Sequence, residues 1–445
     1  MSNVEVNNEW QEAIAAFDEG RDLYITGAAG TGKSTLLHYV RSRTSKPHAV
    51  LAPTGVAALN VRGQTIHSFF KFPPRHIDPN TIRGDCSDLF QRLQLLIIDE
   101  ISMARADLMD AIDIFLRKSR GNSAPFGGVQ LVMFGDLYQL PPVVDSNELH
   151  VYLTEKYGGR YFFQANAFDH FQPKRIALVK NYRQKDQPFV DVLWKVRTGK
   201  ADEADIALIN DRYVPVSPDD ESYVHLTSTK IAARQRNALF LERIKSELHI
   251  SRARITGKFS ESVYPTDVLL KLKIGAKVMM VKNDRYGRWV NGTIGRIAGF
   301  GKDSIDVDID GQTYTVEKEG WENTRYRYNR SERRVIQEVS GTFVQYPVCL
   351  AWAITIHKAQ GHTLNKICID LGRKAFDHGQ AYVALSRCTS LDGIVLRRPI
   401  TLDDIIVDPI VAAHENAASL VQAHPCVADD IAMPTLSEGV VLDAA

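Results

Sequence analysis

Apolar residues in the first 180 positions fall into short unbroken runs separated by stretches with helical spacing. Leu23-Tyr24-Ile25-Thr26, His48 to Pro53, Leu93 to Asp99 and Val129 to Gly135 are too continuous for strands with one wet face. They predict strands buried on both faces, as in a parallel sheet. Ser34 to Val40 predicts a helix after the first run. Between the last two runs, Leu108, Met109, Ile112, Phe115 and Leu116 share one face of an amphipathic helix over Arg105 to Arg120. This alternation predicts a doubly wound α/β domain. The stretch Lys71-Phe72-Pro73-Pro74-Arg75-His76 through Gly84 interrupts it with prolines and polar residues, and predicts a small surface excursion.

Beyond residue 180 the alternation resumes, with a strand over Tyr223 to Leu226 and a helix over Lys230 to Ile244. Between about 283 and 345 the period shortens to two. Ile305 to Ile309 and Thr313 to Val316 alternate around Asp310-Gly311, a strong hairpin signal, and predict a small β-rich insert of barrel type. The α/β texture returns at Ile367 to Leu371 and Ile394 to Arg397. From about 424 the chain is small, acidic and weakly patterned, and a loosely ordered tail is expected.

At 445 residues the chain exceeds one ordinary core, and 44% hydrophobic with 24% charged residues is a globular composition. A net charge of +1 excludes a polycation, so any nucleic acid must be held in a local basic groove. Cys86, Cys349, Cys368, Cys388 and Cys426 are scattered, without a C-x-x-C pair, and suggest neither a zinc site nor a disulfide framework. The polar, acidic start does not look like a signal peptide, and no apolar run is long enough to span a bilayer. A reducing cytoplasmic setting and no membrane partner are expected.

Candidate chemistry is concentrated where the runs end. Gly27-Ala28-Ala29-Gly30-Thr31-Gly32-Lys33-Ser34 fits G-x-x-x-x-G-K-[ST] in the strand–turn–helix context that this phosphate-cradling loop requires. Gly27, Gly30 and Gly32 let backbone N–H groups turn inward, and the helix start adds positive dipole. Lys33 can reach the β- and γ-phosphates of ATP, and the Ser34 hydroxyl can ligate Mg2+. Asp99 and Glu100 end an apolar strand, the edge of a parallel sheet that faces ligands. Asp99 can hold Mg2+ through water, and Glu100 can take a proton from attacking water. Gln139, in Gly135-Asp136-Leu137-Tyr138-Gln139, is a candidate γ-phosphate sensor. Charge developing on the γ-phosphoryl group calls for a cation, for which Arg183 and Arg387 are candidates that chemistry alone does not single out.

The order of these segments resembles a superfamily 1 helicase, and specifically the petite-integration-frequency (PIF) family of 5′-to-3′ DNA helicases in its compact bacterial form. The resemblance covers about residues 8 to 400. Its most specific parts are Ala52-Pro53-Thr54-Gly55-Val56-Ala57-Ala58-Leu59-Asn60 running into Gly63 to Phe70, Pro125 to Leu131, Ala351 to Leu364, and Gln380 to Arg387. It implies two RecA-like domains, at 1–181 and at 182–282 plus 346–423. It also implies a wedge subdomain at about 68–86, an SH3-like β-rich insert at 283–345 and a tail at 424–445. Gln11 would read the adenine edge, Tyr182 would stack on the base, and Ala28, Ala29, Thr31, Thr35 and Gly361 would join the nucleotide contacts. Arg183 and Arg387 would reach the γ-phosphate, and Gln139 would couple nucleotide state to DNA. Pro53, Thr54, Gly55, Thr65, His67, Thr355, His357 and Lys358 would line a single-strand groove, since hydroxyls and turn N–H groups are good phosphate donors.

The implied activity is ATP- and Mg2+-dependent translocation on single-stranded DNA and unwinding at duplex junctions by a monomeric motor. DNA repair, recombination and telomere maintenance are the processes attached to the family. The long N-terminal extension of its eukaryotic members has no counterpart here, so their telomeric, mitochondrial and partner functions are not expected to transfer. Three other readings share part of the motif set: an RNA-directed translocase, an ATP-gated single-strand DNA clamp or remodeller, and a small-molecule kinase. The last has no use for Thr355 to Gly361 or Arg387. Trp321 to Arg334 interleaves Arg325, Tyr326, Arg327, Tyr328, Arg330, Arg333 and Arg334. Such a segment either holds a nucleic-acid strand by charge and stacking or is a solvated loop whose aromatics pack on the insert.

Overall fold

β1 (Leu23–Gly27), β2 (His48–Ala52), β3 (Gln64–Thr65), β4 (Leu95–Ile98), β5 (Gln130–Gly135) and β6 (Lys174–Leu178) form one sheet in the order β3-β2-β4-β5-β1-β6. Every pairing is parallel. All residues of β1, β4 and β5 are buried, which is why their sequences run continuously apolar instead of alternating. The computed structural model describes residues 7–423 except 74, 75, 145, 215–219, 330, 331 and 333. Helix Lys33–Arg43 follows β1, and helix Ala106–Arg120 buries the predicted face of Leu108, Met109, Ile112, Phe115 and Leu116. The two edge strands were not anticipated: β3 has two residues, and β6 opens with Lys174-Arg175.

A second parallel sheet orders strands Ala353–Thr355, Val224–Thr227, Ile367–Asp370 and Ile394–Leu396 side by side. Its core joins Val224, Leu226, Ile354, Ile367, Ile369 and Ile394 to Phe189, Val192 and Val196 of helix Gln187–Thr198. The two sheets are the two expected RecA-like halves. In each, ligand-facing segments leave from the carboxyl ends of the strands.

Within the second half, between its strands Val224–Thr227 and Ala353–Thr355, the strands are antiparallel. Gln312–Glu317, Ser304–Ile309, Ile294–Phe300, Lys277–Met280 and Val348–Leu350 form one sheet in that order. Asp310 (φ +52°) and Gly311 (φ +84°) make the predicted tight turn. Antiparallel pairing extends beyond 283–345, from His249 to Leu350. The flanking strands are too short for their alternation to register: Leu269–Leu272 buries only Leu270 and Leu272.

The segment from Trp321 proves to be a strand. Glu319–Asn329 pairs with Arg334–Gln345, and the Arg–Tyr interleaving is the period of two of that hairpin. Arg325 and Arg327 point to solvent and both pair with Glu338 at 3.0 Å. Trp321 packs on Phe343 at 6.0 Å. Tyr326 is buried against the first sheet: its hydroxyl accepts from the Val50 N–H at 2.8 Å and donates to the Val50 carbonyl at 3.2 Å. Val50 is beside Ile97 of β4, but on the opposite side β3 pairs only with Leu51 and Ala52, and there the hydroxyl serves Val50 in place of a strand. Arg330 and Arg333 lie outside the described residues.

The proline-rich excursion packs back on its own half. Ile77 and Ile82 are buried, and the Ile82 carbonyl accepts from Lys118 at 3.0 Å. Pro74 and Arg75 fall outside the described residues, as do the expected tail at 424–445 and Cys426. The described residues up to Val407 form one compact unit, and a second begins at Asp408 and contains the 15-residue helix Pro409–Ala423. Among the described residues no helix is long and apolar enough to cross a membrane.

Candidate active site

The glycine-rich loop leaves β1 and enters helix Lys33–Arg43 through Gly32. Gly30 and Gly32 both have φ +85°, the left-handed region. A Cβ at Gly30 would stand 2.6 Å from the Arg183 Cβ and 2.8 Å from Asn181 Oδ1, so this glycine also sets how closely the 181–183 turn approaches. Lys33 lies along the loop, its Nζ donating to the Gly27 carbonyl at 2.7 Å and the Ala28 carbonyl at 3.0 Å. Burial lowers its pKa, opposed by the charges of Asp136 and Glu100. Ser34 and Thr35 are exposed at the helix start, and the Thr31 hydroxyl donates to the Ala28 carbonyl at 2.9 Å.

Asp99 and Glu100 leave β4 together. Burial and then the neighbouring Glu100 charge push Asp99 upward, and burial also raises Glu100 against the pull of Lys33 and Arg387. Glu100 has φ +50°, a costly conformation for a residue with a side chain and one that concentrates at functional sites. Asp136 follows β5 and is fully buried. Burial alone would raise its pKa, but Arg197, paired at 2.8 Å, and Lys33 hold it below the usual carboxylate range.

Two side chains of the second half, Tyr382 and Gln360, reach these loops. Tyr382 accepts from the Ala29 N–H at 2.8 Å and donates to Asp136 at 3.3 Å. Gln139 donates to Asp136 at 3.3 Å. Gln360 donates to Gln139 at 3.2 Å and to Glu100 at 3.3 Å. Arg183 donates to the Ser386 carbonyl at 3.1 Å. Arg387 is buried, donating to the Val383 carbonyl and the Ser386 hydroxyl, both at 2.9 Å. Burial and then the charge of Arg183 lower Arg387 to about 9, and burial lowers Arg183 as well. Among the described residues neither arginine has a carboxylate within ion-pair distance. Of the two, Arg183 stands beside the phosphate loop at Gly30.

On the other side of the loop, a Cβ at Gly32 would sit 3.7 Å from both Trp10 and Tyr182. Tyr182 is exposed, as is Gln11, next to Trp10 on helix Asn8–Asp18. Trp10 itself is buried in the core, so Tyr182 and Gln11 are the exposed side chains beside the phosphate loop. Gly361 (φ +83°) follows Gln360 and is exposed, with Asn60 3.7 Å from its Cβ position.

The residues expected to grip a strand occupy three turns. Thr54, Thr65 and Thr355 each cap a short helix, accepting from Ala57 at 3.3 Å, Ser68 at 3.3 Å and Lys358 at 3.2 Å. β2–β3 pairing sets Ala52 beside Thr65, so Pro53-Thr54-Gly55 and Thr65 to His67 share one edge. His67 is half-buried, with its pKa lowered by burial and then by Arg105, so it stays neutral. His357 and Lys358 are exposed. Gly55 is covered: a Cβ there would overlap the side chain of Val263.

Asp136, Arg197, Gln360 and Tyr382 belong to this polar network and were not singled out by sequence reasoning. Asp136, Gln360 and Tyr382 lie inside recognised stretches. Their signal is a polar residue amid buried apolar neighbours, which needs a partner wherever the fold supplies one.

Residues 4–206 match the PIF1-like helicase family. The chain is 33% identical over 413 residues to the human ATP-dependent DNA helicase PIF1, covering 88% of this chain and 60% of that protein, so it spans about three-fifths of the human relative's length. The structure of unliganded Pif1 from Bacteroides sp. is similar with a TM-score of 0.85 at 37% identity, covering 94% of this chain and 98% of that one. The Bacteroides Pif1 structure bound to single-stranded DNA covers the same 94% and 98% at 36% identity, with a TM-score of 0.69.

Proposed function

Because the chain belongs to the PIF1-like helicase family, we propose that it is an ATP-dependent DNA helicase that moves 5′-to-3′ on single-stranded DNA and hydrolyses ATP between its two parallel-sheet halves. The observation carrying this reading is the unbroken polar chain from Ala29 through Tyr382, Asp136, Gln139 and Gln360 to Glu100. It joins the phosphate loop and acidic pair of one sheet to elements of the other. A small-molecule kinase has no need of such a connection, whereas a motor can make and break it as its halves move.

In this reading the loop N–H groups and Lys33 hold the phosphates, Gln11 reads the adenine edge and Tyr182 stacks on the base. Glu100 takes the proton of the attacking water, and Arg183 and Arg387 meet the charge that builds on the γ-phosphoryl oxygens. One exposed hydroxyl, Ser34, and one buried carboxylate, Asp99, suit Mg2+, which keeps several waters and takes its other ligands from phosphate. When bound, Mg2+ would neutralise phosphate charge. Supplying charge to the two arginines draws their half toward the loop, and product loss removes that attraction. Thr54, Thr65, His67, Thr355, His357 and Lys358 grip the strand through two turns of the first half and one of the second, so relative movement of the halves becomes movement along DNA. The higher similarity to the unliganded relative supports assigning this arrangement, with Val263 over Gly55, to the DNA-free state.

The test is unwinding of two partial duplexes, one with a 5′ and one with a 3′ single-stranded tail, with ATP and Mg2+. Unwinding from the 5′ tail alone is expected. Unwinding from the 3′ tail alone refutes the direction. DNA-stimulated hydrolysis with neither substrate unwound would identify a clamp or remodeller, and stimulation by RNA alone an RNA translocase.

A further inference from the structure

Gln360 occupies a position that the reaction above leaves without a task. It is the C-cap of the four-residue helix Ile356–Ala359, whose N-cap is Thr355 and which carries the exposed His357 and Lys358. From there its amide nitrogen reaches the first sheet's edge, 3.3 Å from Glu100 Oε2 and 3.2 Å from Gln139 Oε1. An amide N–H can only donate. Each one given to Glu100 occupies a lone pair of the carboxylate that must receive water's proton, and it fixes the direction in which that carboxylate points. Only one helical turn separates Gln360 from Thr355, so displacement of that turn carries Gln360 with it. The arrangement is also the one closer to the unliganded relative than to the DNA-bound one.

We propose that Gln360 is a positioning residue that restrains Glu100 through its side-chain amide until single-stranded DNA engages Thr355, His357 and Lys358, keeping hydrolysis low when no strand is bound. The device rests on the helicase reading. It gives one amide two acceptors, Glu100 and Gln139, on loops leaving adjacent strands β4 and β5. Withdrawal of Gln360 therefore frees the base and the candidate phosphate sensor together.

The experiment measures steady-state ATP turnover of the full chain with and without saturating single-stranded DNA, in wild type, Gln360→Ala and Gln360→Leu. Gln360 is only partly buried, and circular dichroism with nucleotide-free DNA affinity verifies that each variant is folded. Both variants are expected to raise the DNA-free kcat by roughly three- to tenfold, the scale of one ordinary net hydrogen bond. The DNA-saturated kcat should stay within about twofold of wild type, so the stimulation ratio collapses. A DNA-free kcat that is unchanged or lower overturns the restraint, because a residue that merely supports the fold or aligns the base lowers both rates. Wild type that is not stimulated by DNA overturns the helicase reading and this inference with it. Stimulated wild type with unreleased variants overturns the inference alone.

Discussion

Tyr326→Phe removes one oxygen from the contact that ties the long hairpin to the first sheet. The hydroxyl is 2.8 Å from the Val50 nitrogen and 3.2 Å from its carbonyl oxygen, and both residues are buried. Phenylalanine keeps the ring and its edge-on contact with Phe69 at 5.6 Å, so apolar packing changes little. What is lost is the partner of a buried N–H, which costs about 1–3 kcal/mol. That penalty falls on the docked state of hairpin and β2, and local opening should become more frequent by roughly five- to hundredfold. Hydrogen–deuterium exchange of a peptide spanning His48–Ala52 reads this directly. Gln337→Ala is the internal control, since its amide donates to the Arg62 carbonyl at 2.9 Å from an exposed position where water replaces it, and a cost under about 0.5 kcal/mol is expected. Unchanged exchange in Tyr326→Phe would refute the claim that this hydroxyl stands in for a neighbouring strand at Val50.

Three further outcomes are expected. Glu100→Gln should retain ATP and DNA binding while turnover falls by at least ~10²-fold, the scale of a lost general base; loss of nucleotide binding would make Glu100 structural. Arg183→Ala should lower turnover by roughly 10³-fold or more with DNA affinity unchanged in the absence of nucleotide, and surviving turnover would leave the role to Arg387. His225 is buried, and burial followed by Arg236, Arg397 and Lys277 lowers its pKa to about 3. The unfolded chain therefore binds a proton below about pH 6.5 that the folded chain refuses. Stability is full above that pH and declines as pH falls toward 3, by about 2 kcal/mol at pH 5 from this group. The denaturant midpoint should drop between pH 7 and pH 5 by more in wild type than in His225→Gln, and equal drops would show that His225 is protonated in the fold.

Elements whose burial is complete on both faces were legible in the sequence; those defined by a distant partner were not. β1, β2, β4 and β5 announce themselves because a parallel sheet covered twice leaves no polar position to interrupt the run. Asp310-Gly311 is equally plain, since few residues accept positive φ at two successive positions. β3 exists only because β2 is beside it, and Leu269–Leu272 only because His249–Arg252 pairs with it. The Arg–Tyr segment was legible as chemistry and ambiguous as structure. A period of two says that Tyr326 faces away from Arg325 and Arg327, but not that Val50, 276 residues away, waits on that side.

The same distinction runs through the site. Residues that act through a local backbone device, such as Gly30, Gly32, Lys33 and the capping threonines, are readable because the device is written in consecutive positions. Residues that act across the chain are not: Tyr382 is separated from Ala29 by 353 positions and Gln360 from Glu100 by 260. Yet these are the contacts a motor depends on. A single half can bind phosphate with its loop and polarise water with its acids, but both operations are then blind to whether a strand is held. In the proposed reading, the base shares a donor with the turn that would grip DNA, and the loop shares a hydroxyl with the helix Gln380–Leu385 that precedes Arg387, which would tie each chemical state to a mechanical one. The long-range polar contacts that escape sequence reading are therefore the ones through which hydrolysis would be converted into movement.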